Sequence, residues 1–197
     1  MIPVTAAIIE KDGRILAARR SPGQHLAGFW EFPGGKVEDG ESHKECLQRE
    51  LDEEFSVNCQ VGHFIAESIF DYGHKVIQLF GYYVHHVTGS FRLTDHDKIC
   101  WLPVEELSTL RWAPADIPLV EKLQSDTIAV KNLQFYQTNA QHYAVETLKF
   151  DMRALQQKFT DLLPSKGHIL DLGCGSGRDS RAFIDLGYKV TAMDGSA

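Results

Sequence analysis

The sequence predicts an α/β protein: a mixed β-sheet between helices, followed by the beginning of a second α/β unit. Three observations carry that expectation. Short β-branched and apolar runs alternate with amphipathic helical stretches over about the first 124 residues. A polar stretch follows, after which a strand, glycine loop, helix and strand pattern starts again. The composition, 43% apolar with 10% aromatic and 24% charged in 197 residues, suits a chain that buries a core and excludes disorder, collagen and coiled coil.

Residues 3–10 and 14–20 read as strands joined by Lys11-Asp12-Gly13, a hairpin signal. A polar loop with Pro22, Gly23 and Gly28 leads into Phe29-Trp30-Glu31-Phe32-Pro33-Gly34-Gly35, where an aromatic strand end meets a glycine turn. A helix follows: Ser42 and Glu45 form a capping box, and Leu47, Leu51 and Phe55 share one face. Strands at 58–70 and 75–86 flank the turn Asp71-Tyr72-Gly73, and a shorter one runs through Ile99-Cys100-Trp101-Leu102. Residues 103–107 read as a helical turn and 115–124 as a terminal amphipathic helix. A first domain is thus expected at 1–124, a linker at 125–134 and a second unit at 135–197. That unit reads as a helix over 140–162, a strand at 168–172, a glycine loop at 173–177, a helix, and a strand at 189–193.

Lys and Arg number 20 against 27 Asp and Glu, a formal charge of −7, so no basic field recommends direct nucleic-acid binding. No apolar run approaches the roughly 18 residues of a membrane span, and the amino terminus lacks signal-peptide character, so a cytoplasmic protein without membrane partners is expected. Cys46, Cys59, Cys100 and Cys174 form no CxxC pair and read as free thiols in a reducing compartment.

The segment 35–57 holds 8 acidic and 3 basic residues. On a helix, Glu50, Glu53 and Glu54 converge within an arc of roughly 100° beside the Leu47/Leu51/Phe55 face. Like charges so placed repel. Hard oxygen ligands of this kind suit Mg²⁺ or Mn²⁺, which would supply the positive charge needed to hold a polyanion. A lone Glu-x-x-Glu-Glu reads equally as a solvated acidic face; the whole spacing decides between them. Gly35-x5-Glu41-x7-Arg49-Glu50-Leu51-x-Glu53-Glu54-x-Ser56-Val57 resembles the Nudix box at every fixed position but one, Ser56, where the pattern has glycine. Serine with positive φ costs on the order of 1 kcal/mol, and the change touches the helix cap but no carboxylate.

The resemblance covers about residues 1–124. Trp30-Glu31-Phe32-Pro33-Gly34-Gly35-Lys36 is similar to the segment before the helix in MutT-branch Nudix hydrolases, and Ala113-Pro114-Ala115-Asp116-Ile117-Pro118 to the tail of CTP pyrophosphohydrolase-like members. It implies a Nudix fold and Mg²⁺-dependent (or Mn²⁺-dependent) cleavage of (deoxy)nucleoside triphosphates to monophosphate and pyrophosphate. The implied role is nucleotide-pool sanitation of the 8-oxo-dGTP type, with CTP or modified dCTP as the alternative substrate. Carried over by position, Glu50, Glu53 and Glu54 bind metal together with the carbonyl of Gly34. Glu50 or Glu53 deprotonates water, Arg49 orients the carboxylates, and Asp95 is a further candidate metal carboxylate. Arg20 is the candidate phosphate cation, though a strand-end Arg is as often plain surface. Phe32 is a candidate for base stacking, or ordinary core. Asp116 is the candidate reader of the base: an ionised carboxylate prefers an exocyclic amino group, and a protonated one accommodates 8-oxoguanine. Helix capping is its alternative role.

Residues 169–178, Ile-Leu-Asp-Leu-Gly-Cys-Gly-Ser-Gly-Arg, resemble motif I of class I S-adenosylmethionine-dependent methyltransferases. That resemblance makes Asp171, Gly173, Gly175 and Asp194 the candidate cofactor residues, with Asp194 on the ribose hydroxyls. Only about 63 residues are covered, so the expectation is an incomplete Rossmann-like α/β unit, the front of a methyltransferase. S-adenosylmethionine is then expected only for a complete domain. A methyltransferase with an accessory Nudix domain and a Nudix-fold binding module are the alternatives from other classes.

Overall fold

Strand β1 (Ile2–Lys11) turns back through Asp12 and Gly13, both with positive φ, into β2 (Arg14–Arg20). The computed structural model describes residues 1–195, the side chains of residues 86–88 excepted. Two compact units are present, Met1–Thr127 and Ile128–Ala197.

In the first unit, β3 (Trp30–Glu31), α1 (His43–Phe55), β4 (Val57–Asp71), β5 (Val76–Gly89) and β6 (His96–Leu102) follow. The sheet order is β3-β2-β1-β5-β4, with β6 paired to β2. β1 and β5 run parallel, from Ile2 opposite Ile77 to Ile9 opposite Val84, while the other pairings are antiparallel, so the sheet is mixed. Because side chains alternate across a strand, Ala6, Ile8, Ile15 and Ala17 face one core and Ala7, Ile9, Leu16 and Ala18 the other. The second core is closed by Leu47, Leu51 and Phe55 of α1. The first is closed by Leu107 of a 3-10 helix (Val104–Thr109) and by Leu119, Val120 and Leu123 at the start of α2 (Ile117–Thr147). The expected capping box is present: Glu45 N–H donates to Ser42 Oγ at 3.3 Å and Ser42 N–H to Glu45 Oε2 at 2.9 Å. Ser56 ends α1 with φ 53° and ψ 41°, the left-handed conformation that the family's glycine would adopt without strain.

Three boundaries differ from expectation. Strand β6 begins at His96, three residues before the apolar run that announced it, because a bidentate pair of Arg19 with Asp97 (2.8 and 2.9 Å) extends its ladder with β2. Residues 125–134, read as a linker, are helical: no Gly or Pro lies between Pro118 and Pro164, and Lys122 pairs with Asp126 one turn on at 2.6 Å. The helix expected over 140–162 breaks after Thr147 and resumes as α3 (Arg153–Thr160), where the Asp151 carboxylate accepts the N–H of Arg153 at 3.0 Å.

In the second unit, β7 (His168–Leu172) and β8 (Lys189–Met193) pair in parallel, with α4 (Arg178–Asp185) between them in sequence. Ile169 of β7 and Phe183 of α4 are buried, while Leu170, Leu172 and Met193 are exposed. The strand, glycine loop, helix and strand order expected from the sequence is therefore present.

Candidate functional site

Residues from both faces of the first sheet's strand ends meet around a cavity of about 420 Å³. The glycine turn after β3 forms one wall. Ala7 N–H donates to the Pro33 carbonyl at 2.7 Å and Thr5 N–H to the Gly35 carbonyl at 2.8 Å, and Gly34 between them lines the cavity. Gly34 is sterically required, and Gly35 leaves the room that the Glu50 carboxylate occupies. A Cβ on Gly34 would lie 2.0 Å from the Thr5 carbonyl oxygen, and one on Gly35 would lie 2.0 Å from the Glu50 carboxyl carbon. The turn thus seats a carboxylate of α1 directly on backbone.

Glu50 and Glu54 line the cavity. Burial raises the Glu50 pKa. Burial, then the charges of Glu50, Asp95 and Glu31, push Glu54 from an ordinary 4.5 to about 8. Glu53 does not line the cavity; its side chain is 60% exposed. Arg49 gathers the group: it contacts Glu50 and Glu53 at 3.1 Å each and grips Glu41 with two bonds of 2.9 and 3.1 Å. That grip pulls the Glu41 carboxyl down to about 2. Asp95 is an exposed residue whose charge is felt by Glu54. Among the described residues, no three His, Cys, Asp or Glu side chains already stand close enough to hold a metal ion. Among the described residues, the buried side-chain polar atoms without a hydrogen-bond partner are Glu54 Oε2 and His96 Nδ1, 3.8 Å apart.

At the other end, Asp116 is buried and its Oδ1 accepts the N–H of Phe32 at 2.9 Å. The side chain is therefore turned to the strand end rather than capping α2; the backbone carbonyl of Asp116 accepts from Leu119 and Val120 instead. Burial and the nearby Glu31 raise the Asp116 pKa well above the usual carboxylate range. Phe32 lines the cavity while its ring packs on Trp112 with centroids 4.5 Å apart, so it is core and wall together. Arg20 also lines the cavity, but its guanidinium is committed: it donates to Glu31 at 2.6 Å, to the His25 carbonyl at 2.6 Å and to Gln24 at 3.1 Å. The sequence did not single out Glu31, Lys36, Tyr72, Lys75 or His25, which share the cavity. Glu31 alone carried a usable signal, a charge between two aromatics at a strand end.

In the second unit, a cavity of about 840 Å³ is lined by Gly173, Gly175 and Asp194, with Tyr136 and Tyr143. Gly173, Gly175 and Gly177 all have positive φ, and Asp194 accepts the Gly175 N–H at 2.8 Å. Asp171 is not on that wall; it accepts the Ser180 hydroxyl at 2.5 Å and ties β7 to α4.

A mixed sheet that sets a three-glutamate helix against a glycine turn defines a class of nucleotide-directed hydrolase folds. The family model described as NUDIX domain matches residues 1–123, and the chain belongs to the Nudix family. It is 42% identical over 121 residues to the CTP pyrophosphohydrolase of Escherichia coli, covering 61% of this chain and 90% of that protein. Identity is 37% over 116 residues to a putative 8-oxo-dGTP diphosphatase 2 of Mycobacterium tuberculosis, covering 57% of this chain and 81% of that one. Among solved structures, that of the E. coli ORF135 protein superposes with a TM-score of 0.58 at 39% identity, covering 66% of this chain and 92% of that one. Residues 130–197 match the family described as tellurite resistance protein TehB, in keeping with a methyltransferase-like region. Among the described residues, no helix is long and apolar enough to cross a membrane.

Proposed function

We propose that the first unit hydrolyses (deoxy)nucleoside triphosphates to monophosphate and pyrophosphate in a divalent-metal-dependent reaction. The observation that carries this reading is the cavity, which has acidic carboxylates and a glycine turn at one end and a buried hydrogen-bonding acid at the other. The donor set suits Mg²⁺ or Mn²⁺: Glu50 and Glu54 are hard oxygen ligands raised in pKa by burial, Glu54 also by the charge of Glu50, and Glu54 Oε2 is buried without a hydrogen-bond partner. Glu50, Glu53, Glu54, the Gly34 carbonyl and Asp95 would hold the ion. When bound, it supplies positive charge to the phosphate oxygens.

The remaining roles belong to the chain. Arg49 holds Glu50 and Glu53 side by side, and one of the two takes the proton of the attacking water. Glu50 lines the cavity while Glu53 is mostly exposed, so Glu50 is the better placed. Lys36, next to the glycine turn, lines the cavity and is the better phosphate cation; Arg20 shapes the loop after β2. Asp116 meets the nucleobase. In its neutral form it offers a donor and an acceptor together, which supports 8-oxo-dGTP-type sanitation. The likeness to a CTP pyrophosphohydrolase favours the second reading, CTP or modified dCTP. An S-adenosylmethionine site in the second unit would be made by Gly173, Gly175 and Asp194, and a domain organisation of 1–124 and 135–197 goes with it.

The test compares kcat/KM for CTP, dCTP, dGTP and 8-oxo-dGTP in the wild type and Asp116→Asn. Asparagine also offers donor and acceptor, so the 8-oxo-dGTP reading predicts retained turnover of that nucleotide. An ionised Asp116 reading cytosine predicts a collapse of CTP turnover by about 10²-fold or more. Absence of metal-dependent turnover of any of them sinks both.

A further inference from the structure

We propose that His96 is a positioning residue that ties the carboxylate of Glu54 to the nucleoside end of the cavity through Glu31. The inference rests on the hydrolase reading above and adds a residue behind the cavity wall. The His96 side chain is only 3% exposed and is absent from the cavity lining, so it does not itself meet substrate. Its two ring nitrogens face two carboxylates that do line the cavity. Nε2 lies 2.8 Å from Glu31 Oε1, a hydrogen bond, and Nδ1 lies 3.8 Å from Glu54 Oε2, an electrostatic contact.

The chain geometry that brings His96 there is specific. The segment before β6 satisfies the carbonyls at the end of α1: Arg92 N–H donates to Phe55 at 2.9 Å, and Thr94 donates its N–H (3.2 Å) and hydroxyl (2.8 Å) to Glu54. His96 is thereby laid flat on Phe55, with centroids 5.1 Å apart and planes 24° from parallel. Opposite, Arg20 and His96 are register partners of β2 and β6. Glu31 takes one oxygen to each of them, Oε2 from Arg20 at 2.6 Å and Oε1 from His96. Arg20 in turn holds the carbonyl of His25 and the side chain of Gln24. A continuous series of polar contacts thus runs from Glu54 through His96, Glu31 and Arg20 to the loop that closes the nucleoside end. Outer partners of this kind fix the direction of a metal-binding carboxylate, and their loss typically costs about 10- to 100-fold in metal affinity or activity.

The two nitrogens can be separated by substitution. The amide nitrogen of asparagine reproduces Nδ1, that of glutamine reproduces Nε2, and phenylalanine keeps the stack on Phe55 while removing both. The full chain and its His96→Phe, His96→Asn and His96→Gln variants are titrated with Mn²⁺ alone by calorimetry, and kcat and KM are measured with CTP and 8-oxo-dGTP. His96→Phe is expected to weaken Mn²⁺ about 10-fold or more and to lower kcat/KM at least as much. His96→Asn is expected to keep Mn²⁺ affinity and raise KM; His96→Gln is expected to keep KM and lose Mn²⁺ affinity. Thermal midpoints recorded in parallel separate positioning from folding. Wild-type Mn²⁺ affinity and KM in His96→Phe overturn the proposal, as do losses that follow the midpoint equally in all three variants. A wild type that neither binds Mn²⁺ nor hydrolyses overturns the hydrolase reading and this inference with it.

Discussion

Replacing Glu54 by glutamine is expected to stabilise the metal-free protein while abolishing its catalysis. The Glu54 carboxyl titrates near 8 in the folded chain against an ordinary 4.5 when unfolded. A raised folded pKa means that the folded state holds the proton more tightly. The stability contributed by Glu54 is therefore complete below about pH 4.5 and is lost as pH climbs through about 8. At about 1.4 kcal/mol per unit, the full shift sets a ceiling of about 5 kcal/mol. Glu54 reaches an open cavity, so solvent screening lowers the expected penalty to about 2 kcal/mol. Glutamine removes the charge while keeping the shape of the side chain that faces His96 Nδ1. Thermal unfolding in chelator at pH 8 should show the first-unit midpoint of Glu54→Gln above wild type by roughly 5–10 °C, with the gap closing toward pH 5. Mg²⁺ should raise the wild-type midpoint and move that of the variant much less. A Glu54→Gln midpoint at or below wild type at pH 8, or a gap independent of pH, would show that the Glu54 charge does not destabilise the folded chain.

Gly35→Ala places a methyl on the Glu50 carboxyl and should cut kcat by about 10²-fold, measured at saturating nucleotide, because a small misplacement of a catalytic group is costly. Ser56→Gly relieves the left-handed conformation at the end of α1; denaturant unfolding should show a gain of about 1 kcal/mol with kcat unchanged. Arg49→Lys keeps the charge but loses the two-pronged hold on Glu41 and the simultaneous contact with Glu50 and Glu53, so kcat should fall about 10-fold or more. Profiles of kcat against pH for Glu50→Gln and Glu53→Gln should differ, the acidic limb vanishing in whichever variant has lost the base.

Much of this was legible in the sequence because the signals were local. The Asp12-Gly13 hairpin and the Ser42/Glu45 box each lie within a few residues and appear where turn and cap residues placed them, whereas of the three glutamates of α1 only Glu50 and Glu54 line the cavity. What escaped depends on residues far apart. The start of β6 rests on Arg19 meeting Asp97, and α2 continues because nothing in a polar stretch stops a helix already begun. The commitment of Arg20 to Glu31 and the His25 carbonyl needs the loop folded back on the strand. Likewise, no local pattern announces that His96 stands between Glu31 and Glu54, which lie 65 and 42 positions earlier.

The proposed reaction is metal-dependent cleavage between the α and β phosphates by the carboxylates of α1. Its most direct test is quantification of the products of nucleoside triphosphate turnover with Mg²⁺, in the wild type and in Glu53→Gln and Glu50→Gln. Monophosphate and pyrophosphate in equal amounts, dependent on Mg²⁺ and lost in at least one of the two variants, are the predicted result. Orthophosphate and diphosphate as the products, or turnover that persists in chelator or in both variants, would contradict it.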